Sequence, residues 1–167
     1  LNINEIEHEN ALHMYNNKNQ LFLNNLNYSK YTEIIMLPEI NENSISSIPL
    51  NLSPYFCDQP LFYDNESFCK HIQNIIKLLN TYENYNVFLK HKKILDNIQI
   101  MVKEDLGVVF TKEYKPFLTF ALTQPNMTIA FYNYLYNMCN TVPTQERCKK
   151  YVINQLSNYI TLAGGKY

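Results

Sequence analysis

The chain has 167 residues, a formal net charge of -1, four Cys, three Gly and no Trp, with 46% hydrophobic and 14% aromatic residues. That is enough to bury one core without disulfide or metal support, while Gly107, Gly164 and Gly165 are too few and too scattered for a dinucleotide fingerprint or a phosphate loop. A pI near 6.5 with mixed signs gives no global field for capturing nucleic acid, and no apolar run approaches the ~18–20 residues of a membrane span.

The first element is a helix over about 3–26. Ile6, Leu12, Tyr15, Phe22 and Leu26 recur mostly at helical steps, but Asn16, Asn17, Asn24 and Asn25 lower its propensity and predict a break near Asn16–Asn19. Residues 1–28 read as a connector or dimerisation arm, and 29–167 as one α+β domain. Thr32–Leu37 reads as a strand stopped by Pro38. From Asn41 to Pro60, Ser clusters and Pro49, Pro54 and Pro60 predict a long loop.

A second helix starts at an Asp64 or Asn65 cap and runs to about Leu79, with Phe68, Ile72, Ile75, Ile76 and Leu79 on one stripe. Four β candidates follow: Asn86–Lys90, Ile98–Lys103, Val108–Lys112 and Phe117–Leu122. Asp105-Leu106-Gly107 reads as a tight reversal and 113–116 as another turn, which predicts an antiparallel four-strand meander. Pro125 or Asn126 opens a helix with Met127, Phe131, Tyr134, Leu135 and Met138 on one face. Thr144 is the expected cap of the last helix, with Cys148, Tyr151, Val152, Leu156, Tyr159 and Ile160 inward and Gly164-Gly165 as its stop. The fold class is therefore α+β, an antiparallel β-meander packed against several helices. One echo stands out: Phe22–Tyr28 and Leu78–Tyr85 are both helix ends with Asn/Tyr turns leading into strands. A duplication would set those two strands side by side; chance repetition in a chain so rich in Asn and Tyr is the competing reading.

Chemistry is thin along the chain. Cys57, Cys69, Cys139 and Cys148 lack CxxC spacing and do not pair with His8, His13, His71 or His91 at zinc-finger distances, so no metal and no cofactor is expected. The thiols read as buried in a reducing cytosol. The sequons at Asn27, Asn51, Asn65 and Asn126 are what about two dozen Asn produce by chance, and the Asn content itself reads as AT-rich codon bias. Lys90-His91-Lys92-Lys93 is the one basic knot, a solvated turn or a phosphate contact. Strand alternation splits Lys103 and Asp105 from Glu104, leaving no carboxylate pair for acid–base work. No nucleophile elbow or HExxH helix is present.

The strings Tyr82–Leu89, Ile98–Val109, Phe117–Leu122 and Asn126–Leu135, roughly ENYxVxL, VKEDxGV, P-apolar-FAL and NMTxAFxxYL, form a block across about residues 65 to 160. This block resembles the C-terminal region of helix-turn-helix transcriptional regulators of Gram-positive bacteria, with Tyr132 where Trp is common. The resemblance implies a cytoplasmic effector-sensing or dimerisation domain, not an enzyme, with DNA bound only through a segment ahead of Leu1. The missing initiator Met fits that expectation. Its partners would be an unknown small-molecule effector and a second copy, with no membrane. Tyr85, Phe88, Phe120, Phe131 and Tyr134 are the expected pocket between meander and helix, and Lys103 the possible anion anchor. The competing expectations are a small enzyme with an unrecognised site and a purely structural interaction module.

Overall fold

The computed structural model describes residues 3–37, 64–90, 98–112 and 118–164, with side chains from Leu12 onward. The expected loop Asn41–Pro60, the 113–116 turn, Gly165, Cys57 and the 91–93 part of the basic knot lie outside the described residues. The chain runs α1 (Ile3–Tyr28), β1 (Tyr31–Met36), α2 (Asn65–Thr81), β2 (Tyr85–Lys90), β3 (Ile98–Lys103), β4 (Gly107–Lys112), β5 (Leu118–Leu122), α3 (Pro125–Asn140), a 3-10 turn at Thr144–Glu146, and α4 (Lys149–Leu162). This is an α+β architecture with two separate sheets.

The first sheet corrects the expected four-strand meander. β2 leaves it and pairs in parallel with β1, from Tyr31↔Tyr85 to Met36↔Lys90. The reason lies in the alternation of β2: Tyr85, Val87 and Leu89 are buried while Asn86, Phe88 and Lys90 are half-buried, so one face of the strand is buried and the other partly covered. Parallel strands need such cover on both sides. The strands that follow the two echoed helix ends thus lie side by side, and the Asn84 side-chain amide donates to the Asn27 carbonyl at 3.3 Å, tying one turn to the other.

Around this pair sits the main core, built from Leu26 and Leu37, from Phe68, Cys69, Ile72, Ile75, Ile76 and Leu79 of α2, and from Tyr85, Val87 and Leu89. Val152, Leu156, Ile160 and Ala163 complete it. The α2 stripe forms as its periodicity predicts, and the Asp64 carboxylate accepts from the Ser67 backbone N–H at 2.6 Å. That bond holds the Asp64 carboxyl below the usual carboxylate range. α4 starts later than Thr144 suggests. Pro143 and Thr144 open the 3-10 turn instead, and Cys148 is the exposed N-cap of α4 rather than a core residue.

Two cations close helix ends that the sequence leaves bare of basic residues. Lys149 Nζ donates to the carbonyls of Leu79, Tyr82 and Glu83 at 3.3, 2.6 and 3.2 Å, joining the start of α4 to the end of α2. Arg147 donates from Nε to the Val142 carbonyl at 2.7 Å and from its terminal nitrogens to the carbonyl and side chain of Asn140. Positive charge at a helix C-terminus meets orphan carbonyls and the negative end of the dipole.

The second sheet is the meander β3-β4-β5, with Ile100↔Phe110↔Phe120 as its middle row. Its first reversal uses Gly107, at φ +154°, where an added Cβ would stand 2.5 Å from the Leu122 carbonyl oxygen. α3 covers the face that carries Phe110, whose ring stacks on Phe120 at 5.5 Å and meets Phe131 edge-on at 4.6 Å. The inward line of α3 is Thr128, Phe131, Leu135 and Met138; the expected inward residues Met127 and Tyr134 are exposed.

α1 is one unbroken helix, so the expected interruption near Asn16–Asn19 does not occur. Among its described side chains, those of the last two turns reach the core, through Phe22, Leu23 and Leu26, whereas residues 12–20 are exposed. Replacing Lys149 by Met should cost about 1–2 kcal/mol, three carbonyls losing a charged donor. Leu156→Ala, which empties a fully buried position, should cost about 2–5 kcal/mol. Urea unfolding of the two variants, with unchanged m-values, checks both figures and their order.

Candidate functional site

The six residues singled out from the sequence do not share one pocket. Phe131 sits between meander and helix against Phe110, while Phe120, 52% exposed, stacks on the same Phe110 ring from the neighbouring strand. Tyr134 stands exposed on α3, and Lys103 is exposed at the end of β3 opposite Gly107. Tyr85 lies 1% exposed in the other sheet, and Phe88, beside Ile34, occupies the opposite face of that strand. The aromatic residues therefore divide between two cores, and their packing is that of side chains filling space.

Two constellations have polar chemistry. The first is an open cleft of about 350 Å³ lined by Glu104, Asp105, Leu106, Thr123, Pro125, Thr128 and Ile129. Strand alternation separates Glu104 from Asp105, but β3 ends at Lys103 and both acids lie in the following turn, which brings them to the same cleft. The buried Thr128 hydroxyl donates to the Gln124 carbonyl, and the Gln124 side chain caps α3 at the Met127 N–H, 2.8 Å away. The polar groups at this end of α3 are thus satisfied within the chain.

The second is an acid held by two phenols. Glu33 projects from β1 on the same face as Tyr31 and Tyr85, two residues beyond the Tyr31↔Tyr85 pair. Tyr85 Oη donates to Glu33 Oε2 at 2.6 Å, and Tyr31 bonds to the same side chain. The two tyrosine rings lie 5.9 Å apart. Burial, then the adjacent carboxylate, keeps both phenols protonated, with Tyr31 pushed up to about 12 and Tyr85 raised further. Desolvation lowers the pKa of His71 on α2, and the Glu33 charge opposes that shift. Each tyrosine is a donor to Glu33, so the pair orients the carboxylate and neither phenol is ready to act as a base. Sequence alternation alone could have signalled this group, since Tyr31 and Glu33 flank one polar position in a strand otherwise rich in Ile. It was hidden because its third member, Tyr85, is 52 residues away.

Among the described residues no group of three or more His, Cys, Asp and Glu is placed to hold a metal ion. No helix is long and apolar enough to cross a membrane, among those described. Cys69, Cys139 and Cys148 form no disulfide among the described residues, and the first two are buried.

The tyrosine cluster fixes an alkaline limit. A phenol whose folded pKa is raised binds its proton more tightly in the folded state, so its stabilisation is complete below the unfolded value near 10. It is lost as pH rises from about 10 through 12. Unfolding midpoints measured from pH 8 to 12 should fall above pH 10, and the double variant Tyr31→Phe/Tyr85→Phe should flatten that fall; an equal slope in both proteins would contradict the assignment. Comparison of the chain with protein-family models, with curated proteins and with solved structures finds no match.

Proposed function

We propose that this chain is a non-catalytic regulatory domain that acts by pairing with a second copy through α1, in the manner expected of the effector half of a helix-turn-helix transcriptional regulator. The observation that carries the reading is the unpartnered part of α1. Leu12 and Tyr15 are 53% and 66% exposed, yet they lie on the stripe that continues through Phe22 into the buried Leu26, at steps of three, seven and four residues. A helix this exposed gains little from propensity with so many Asn, and its stability comes from tertiary packing. The second copy is the occupant because the seam alternates apolar and polar positions: Leu12, Tyr15 and Asn19 follow the spacing at which an Asn sets register between paired helices.

The linkage to regulation is mechanical. α1 joins β1 through Ser29 and Lys30 alone, and Phe22 meets Tyr31 edge-on at 5.4 Å. A ligand that prefers one packing around Tyr31, Glu33 and Tyr85 would bias the direction in which α1 leaves the core. The DNA-binding segment belongs to this proposal and would be supplied by the same polypeptide.

Light scattering at 100 µM should give the mass of a dimer for the unaltered chain. The variant Leu12→Glu/Tyr15→Glu should give a monomer with an unchanged core unfolding midpoint, since neither side chain reaches the core. A monomeric unaltered chain would remove the pairing. An open reading frame without a DNA-binding segment in line with this one would remove the regulator assignment while leaving the pairing intact.

A further inference from the structure

We infer that the outer edge of β5 is a pairing edge for the β5 of a second copy, strand against antiparallel strand about a two-fold axis at Phe120. In the sheet order β3-β4-β5 the far edge of β5 has no strand beside it among the described residues. An edge strand turns a row of N–H and C=O groups outward, a ready template for another strand. Protein edges are commonly blunted by a charge, a proline or a bulge. β5 carries none of these. It reads Leu-Thr-Phe-Ala-Leu, and its register with β4 runs one to one from Val108↔Leu122 to Lys112↔Leu118.

The strand is also bare on its faces, with residues 118–121 all exposed. α3 packs chiefly against β3 and β4, which leaves Leu118 and Phe120 on the α3 side 48% and 52% exposed. Thr119 and Ala121 point to the opposite face by strand alternation.

The occupant is read from the strand itself. Around Phe120 the order Leu, small, Phe, small, Leu is the same in either direction. A two-fold axis there sets Phe120 opposite its own mate, Thr119 opposite the partner's Ala121, and Leu118 opposite the partner's Leu122. Residues facing each other in an antiparallel pair lie on one face of the sheet, so aromatic meets aromatic and leucine meets leucine on the α3 side. A two-fold interface requires such a self-complementary patch, whereas a foreign strand would need no symmetry in this one. Charge agrees, because a neutral strand brings no like charge against its copy. The two meanders then join into one sheet in which the row Ile100↔Phe110↔Phe120 continues across the axis.

Area sets the strength. Stable interfaces bury roughly 1,200–2,000 Å² in total, and an edge of 5 residues is short of that. The pairing is therefore weak, with a dissociation constant on the order of 1 mM. It acts where copies are already held close, since linked modules meet at about millimolar effective concentration. The inference stands apart from pairing through α1, which uses another surface.

The test is heteronuclear NMR of the Leu12→Glu/Tyr15→Glu chain, from which pairing through α1 is removed, between 0.1 and 2 mM. Amide shifts centred on β5 should grow with concentration as the diffusion coefficient falls. Adding Thr119→Lys/Ala121→Lys sets a lysine opposite a lysine and should raise the dissociation constant about tenfold or more. Adding Thr119→Lys/Ala121→Glu sets a lysine opposite a glutamate and should keep it within about threefold of the starting chain. Both side chains are exposed, and circular dichroism confirms that each variant is folded. No concentration dependence up to 2 mM, equal affinity in the double-lysine variant, or a lysine–glutamate variant no tighter than the double-lysine one would overturn the pairing. Shifts in β5 caused by an alternating valine–threonine peptide, but not by concentration, would give the edge to a foreign strand and overturn it as well. A monomeric unaltered chain at 100 µM removes only the pairing through α1.

Discussion

The parallel pairing of β1 and β2 is the constraint on which the rest of the molecule depends. Two parallel strands cannot be joined by a tight turn, so the chain between them must cross over and supply a helix. α2 is that helix, and its stripe from Phe68 to Leu79 buries Tyr85, Val87 and Leu89. A two-stranded sheet has little strength of its own. It persists here because α2 and α4 close over one face, with Leu156 and Ile160 fully buried. The polar group on that face, Glu33 with its two tyrosines, is tolerable because its acceptor oxygens are met by phenols.

Charge does a different job from the one its near-zero sum suggests. Lys149 and Arg147 are separated only by Cys148, yet each closes the end of a different helix, α2 and α3 respectively. The short segment before α4 therefore acts as a junction between the core and the meander with its covering helix. The surface ion pair Lys70–Glu66, by contrast, spans one turn on the exposed side of α2 and adds little.

Much of this was legible in the residues, for reasons that can be named. The α2 stripe, its Asp64 cap, the hairpin around Gly107 and the start of α3 at Pro125 all rest on local signals, periodicity and turn chemistry, that hold regardless of context. What failed was long-range pairing. Asn86–Lys90 has the composition of a meander strand and sits next to one, and only the burial of Tyr85, Val87 and Leu89 against α2 and α4 assigns it to β1. The candidate site suffered in the same way. Tyr85 and Phe88 were grouped with Phe120 and Phe131 as neighbours of one meander; once β2 belongs elsewhere, the group divides. The helix caps from Lys149 and Arg147 were invisible because their acceptors are backbone carbonyls, which every sequence supplies equally.

One consequence concerns the order in which the chain can acquire its shape. α2 and α4 share a buried interface, but β3, β4, β5 and α3 all lie between them in sequence. The meander is stitched by neighbours and can form early, since closing short loops costs little entropy. The main core is discontinuous and stays open until α4 has been made. During synthesis, then, the part of the protein formed first in sequence is the part completed last, and the apolar stripe of α2 waits, uncovered, for the final helix.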